Sequence, residues 1–71
     1  NREGATAFYA AQRHMIMELH AELSKDPQRH LEPAYADLWA NAGAGQERVV
    51  IDQIAALTDV SLTQWHASIC P

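Results

Sequence analysis

The chain has 71 residues, 48% of them hydrophobic, with nine acidic against five basic side chains and a formal net charge of −4. That length holds one domain at most, and a body of this size buries only ~60% of the surface its unfolded form exposes. The five bases, Arg2, Arg13, Lys25, Arg29 and Arg48, are scattered, which argues against nucleic-acid or membrane-surface binding, since both need clustered cations. The first predicted helix covers residues 6–25. Phe8, Ala11, Met15, Leu19 and Leu23 recur at spacings of three and four, Ile16 and Met17 widen that face, and Glu18 and Glu22 hold the solvent side. Pro27 ends it, because proline disfavours α geometry at Asp26 and lacks an amide hydrogen.

Residues 26–33 read as a polar connector between Pro27 and Pro33. Pro33 suits the first turn of a second helix over 34–42, with Tyr35, Leu38 and Trp39 on one side. Gly43 offers the left-handed position that ends helices, and Ala44-Gly45 lets the chain turn. A third helix is predicted over 46–57, with Glu47 complementing the macrodipole in its first turn. Val50, Ile54 and Leu57 form one apolar stripe and Ile51 with Ala55 another, leaving Asp52, Gln53 and Ala56 as the polar edge. A helix apolar on nearly all sides is normally buried in something larger. Thr58 and Asp59 break the run, with Asp59 read as a helix cap, and Ser61 with Gln64 reads as a capping box opening a fourth helix that turns Leu62, Trp65 and Ile69 inward. The expected fold class is all-α, three to four helices in a hairpin-like array over residues 1–71, with no internal domain boundary.

Few residues suggest chemistry. His14 and Glu18 stand four apart and could share a metal, but no third ligand joins them at helical spacing, so a surface pair is expected. His20, His30 and His66 are isolated. Cys70 lacks a neighbouring base and any internal disulfide partner, so it reads as an inert thiol in a reducing cytoplasm. Ser24, Ser61 and Ser68 lie outside any nucleophile turn, and Gly43-Ala44-Gly45 is too short for a phosphate loop. Tyr9, Tyr35, Trp39 and Trp65 read as core or interface anchors. Asp52, four residues after Arg48 inside the apolar helix, is the one carboxylate of interest. It is either an i,i+4 ion pair or, being on a helix read as buried, a ligand contact. No apolar run is long enough to span a bilayer.

The string from Arg48 to Asp59, Arg-Val-Val-Ile-Asp-Gln-Ile-Ala-Ala-Leu-Thr-Asp, followed by Leu62 and His66, resembles the C-terminal helices of bacterial deoxyguanosinetriphosphate triphosphohydrolases, dNTP hydrolases of the HD superfamily. Gln12-Arg13 with Glu18-Leu19 looks like the helix these proteins carry before that string. Residues 31–39 look like the connector of actinobacterial-type members. Gln53 departs from the Tyr frequent in the family, and Ala56-Leu57 from Gly-Met. The resemblance implies the C-terminal fragment of an enzyme converting a dNTP and water to a deoxynucleoside and triphosphate. It implies a divalent metal, magnesium or manganese, held by a His…His-Asp…Asp set. That set has no counterpart here, so no cofactor is expected in this chain and the chain alone is expected to be catalytically inert. Its implied partners are the remainder of the parent polypeptide, the dNTP substrate and further subunits of a homo-oligomer, with no membrane and no direct nucleic-acid site. Arg48 and Asp52 are the implied substrate-binding residues. The chain opens on Asn1 rather than Met, which fits a piece of a longer product. The alternative reading is a stand-alone helical interaction or dimerisation module without catalysis.

Overall fold

The computed structural model describes the backbone of residues 2–70 and the side chains of residues 9–70. Among these the chain forms α1 (Arg2–Lys25), α2 (Pro27–His30), α3 (Pro33–Ala40), a 3-10 turn (Gly43–Gly45), α4 (Gln46–Ala55) and α5 (Asp59–Ile69). The fold is all-α, as expected. α1 dominates the outline: 24 residues at ~1.5 Å each give a rod of ~36 Å, and the molecule extends 44 × 22 × 17 Å. The Phe8 side chain, expected on the apolar face of α1, lies outside the described residues.

Proline chemistry sets the breaks. α1 stops at Lys25, and Pro27 and Pro33 each open the next helix, where the missing amide hydrogen costs nothing. The polar connector expected over 26–33 contains a structured turn instead. α2 is a single helical turn, and its first residue Pro27 and its C-cap Leu31 are both buried. Burying them anchors the link between α1 and α3, which polarity alone did not reveal.

The core is built from Leu19 and Leu23 of α1, Leu31, Val50 and Ile54 of α4, and Leu62 of α5. Leu19 and Leu23 have no exposed surface, and each full burial of such a side chain contributes ~1.5–3 kcal/mol. Tyr35, Ala36 and Trp39 pack against this cluster from α3, and Trp65, Ile69 and Cys70 from the end of α5. Leu38, expected beside Tyr35 and Trp39, points outward and is exposed. α3 is two turns long and presents only one narrow side to α4.

Two helix boundaries have local causes. Gly43 adopts φ +55°, the left-handed conformation that L side chains avoid, and so reverses the chain after α3. At the start of α5 the cap is Thr58, neither Asp59 nor Ser61. Thr58 is extended, its Oγ1 accepts the Ser61 backbone N–H at 3.1 Å, and its hydroxyl donates to Ser61 Oγ at 3.0 Å. Asp59 is already the first helical residue, where its charge still suits the macrodipole.

Candidate functional site

α4 carries the residues singled out from the sequence. Within this chain the helix is one-sided, and the part of it expected to be buried in something larger is open here. Val50, Gln53 and Ile54 are buried, whereas Ile51, Asp52, Ala55 and Ala56 are exposed. Arg48 and Asp52 stand on the exposed side. Arg48 Nε donates to Asp52 Oδ1 at 2.9 Å, with the side chains 77% and 50% exposed. An open i,i+4 pair of this kind is worth ~0.2–0.5 kcal/mol. Using only Nε–H and one carboxylate oxygen, it leaves the outer face of the guanidinium accessible. The pair can therefore be remade around a ligand at little cost.

Gln53, expected on the polar edge, is fully buried. Its Oε1 accepts the Glu32 backbone N–H at 2.9 Å, and its Nε2 donates to Glu32 Oε1 at 2.8 Å. The amide thereby satisfies the entry of α3 from the middle of α4. The sequence offers no signal for this pairing, which spans 21 positions. It also fixes position 53 as an internal tie rather than a side chain available to a nucleotide.

Beside the ion pair, α1 and α4 run antiparallel and leave an open groove of about 550 Å³ between them. Ile16, Met17, Ile51 and Ala55 flank it, and the buried Ile54 and Leu62 form its floor. At one end Gln12 Nε2 donates to Asp59 Oδ1 at 2.9 Å. At the other, His20 stands 3.9 Å from Glu47 Oε1, beyond hydrogen-bond reach, and its Nε2 is buried without a hydrogen-bond partner. Ile16 is 40%, Met17 65% and Ile51 46% exposed, so this apolar patch is open in the chain as it stands.

On the opposite side of α1, Glu18 joins two histidines. Its Oε1 accepts from His66 of α5 at 2.9 Å and lies 3.4 Å from His14. The His66 hydrogen bond is the main reason its carboxyl is held below the ordinary value, with a smaller contribution from His14 and partial opposition from burial. The His14–Glu18 surface pair is as the spacing predicted, but His66, 48 positions away from Glu18, could not be placed there from sequence. Among the described residues no group of three or more His, Cys, Asp or Glu side chains is arranged to hold a metal ion. The residues present do not fit the divalent metal that the resemblance implies. Burial first, then Glu22 and Glu18, push the half-buried Cys70 thiol up, which disfavours the reactive thiolate. Among the described residues no helix is long and apolar enough to cross a membrane.

Residues 1–68 match the model of a phosphohydrolase-associated domain. The chain belongs to that family. Two curated proteins of Vibrio cholerae serotype O1, a deoxyguanosinetriphosphate triphosphohydrolase-like protein and a deoxyguanosinetriphosphate triphosphohydrolase-like protein 1, are each 41% identical to it over 54 residues. The alignment covers 73% of this chain but only 12% of either relative. No solved structure matches. This phosphohydrolase-associated domain thus corresponds to a small part of the proteins it resembles.

Proposed function

We propose that this phosphohydrolase-associated domain is the C-terminal part of a dNTP triphosphohydrolase, which splits a dNTP with water into a deoxynucleoside and triphosphate. The family match over residues 1–68, together with relatives named triphosphohydrolase-like, carries the reading. In it, residues 1–71 form one all-α segment that packs the helical body, and α4 shapes the nucleotide pocket. Arg48 offers a cation to the phosphates, and Asp52 steers the guanidinium and accepts from a substrate hydroxyl. Among the described residues no group is arranged to hold a metal ion, so this reading assigns the divalent ion to the rest of the enzyme and no step to it here. The connector over 31–39 suits the actinobacterial type of parent, a homo-oligomeric assembly is part of the proposal, and the lone thiol suits a reducing cytoplasm.

The test uses the full-length gene product. Arg48→Ala and Asp52→Asn are expected to lower kcat/KM at least about tenfold, equivalent to ~1.4 kcal/mol of transition-state stabilisation. The ion pair they break is exposed, so Tm should hardly move. Small and equal effects on activity and Tm would reduce the pair to a surface contact and remove α4 from the pocket.

A further inference from the structure

The groove between α1 and α4 is an opening that the ion pair does not use. We infer that it is the seat of an aliphatic helix, flanked by Lys or Arg, from the remainder of the parent polypeptide. The inference rests on the reading of the chain as part of a triphosphohydrolase and adds where and how the two parts join.

Dimensions come first. Along α1 the groove runs from Gln12 to His20, roughly eight residue steps or ~12 Å of helix axis, which accommodates about two turns of a partner helix. Its walls are Ile16, Met17, Ile51 and Ala55, apolar side chains that gain by meeting other apolar side chains. All four are exposed here, and none belongs to the buried core, so the domain folds around the groove without needing to close it.

Charge then narrows the occupant. Asp59 lines one end of the groove, and Glu47, 3.9 Å from His20, lies just beyond the other end in the adjoining hollow. An occupant with a cation near each end gains at both. Free triphosphate is disfavoured by the same carboxylates and by the apolar walls. A second copy of this chain would bring the same acidic ends and another net charge of −4, so like charges would oppose it. The remaining source is the parent chain. The alignment spans 12% of each relative, and the rest of such a polypeptide is tethered beside this face at high effective concentration.

Thiol labelling of the full-length gene product tests this directly. In a Cys70→Ser background, single Ile51→Cys and Ala55→Cys variants report the groove, and Leu38→Cys reports an exposed apolar position away from it. Labelling at 51 and 55 is expected to be at least about tenfold slower than in the guanidinium-unfolded protein, and independent of protein concentration. The corresponding ratio at position 38 calibrates an exposed site. Labelling at 51 and 55 close to the unfolded rate means an open groove and overturns the inference. Protection that fades on dilution assigns the groove to a second copy and also overturns it. Loss of the parent reading shows elsewhere: a gene product without dNTP triphosphohydrolase activity defeats that reading whatever the thiols do.

Discussion

Gln53→Ala is the perturbation that the structure evaluates most fully. The side chain has no exposed surface and makes two hydrogen bonds to Glu32, one to its backbone N–H and one to its carboxylate. Each such bond contributes ~1 kcal/mol net, so losing both costs ~2 kcal/mol. The truncated γ-methylene adds ~0.8 kcal/mol of lost burial, for a total near ~3 kcal/mol. In a domain of this size 1 kcal/mol corresponds to roughly 4–8 °C, which puts the expected fall in Tm at ~12–24 °C. Glu32→Ala removes only the carboxylate bond and keeps the backbone one, so about 1 kcal/mol is expected. Urea unfolding of wild type, both single variants and the double variant closes a cycle. Its coupling energy should equal the one shared side-chain bond, ~0.5–1.5 kcal/mol. A coupling near zero, or a Gln53→Ala cost below ~0.5 kcal/mol, would show that water replaces these bonds freely and that the tie does not hold α3 to α4.

Two further outcomes follow from local geometry. Gly43→Ala should cost ~1–2 kcal/mol for placing a Cβ in the left-handed region, because φ is +55° while no atom lies within 4 Å of the added carbon. Gly45→Ala, at φ −89° and in ordinary contact with Ala42 at 3.8 Å, should be neutral or slightly stabilising. Equal urea midpoints for the two would refute the conformational account. Glu18 gives a pH dependence. Folding lowers its carboxyl pKa below the ordinary 4.5, chiefly through the His66 hydrogen bond, so the unfolded chain binds more protons in that range. The stabilisation is complete above pH 4.5 and drains away as pH falls through the lowered value. Glu18→Gln should flatten that part of the acid limb of the stability curve, and superimposable limbs would deny the carboxylate this role.

The sequence alone determined α1, α3, α4 and α5, because their signals are local, and missed the single turn of α2. Leu19 and Leu23 at one-turn spacing, proline at the first position of α3, and glycine at a left-handed position all act within a few residues of themselves. The i,i+4 pairs His14–Glu18 and Arg48–Asp52 were legible for the same reason, and the 48–59 string carried the family resemblance. Tertiary structure alone decided which side of α4 faces inward. Gln53 outcompetes Ile51 for the interior because a buried amide with both hydrogen bonds made is stable, and its partner Glu32 lies 21 positions away. It likewise joined His66 to Glu18 and Gln12 to Asp59. It left Ile16, Met17, Ile51 and Ala55 facing solvent, since periodicity identifies an apolar stripe but not whether a neighbour covers it.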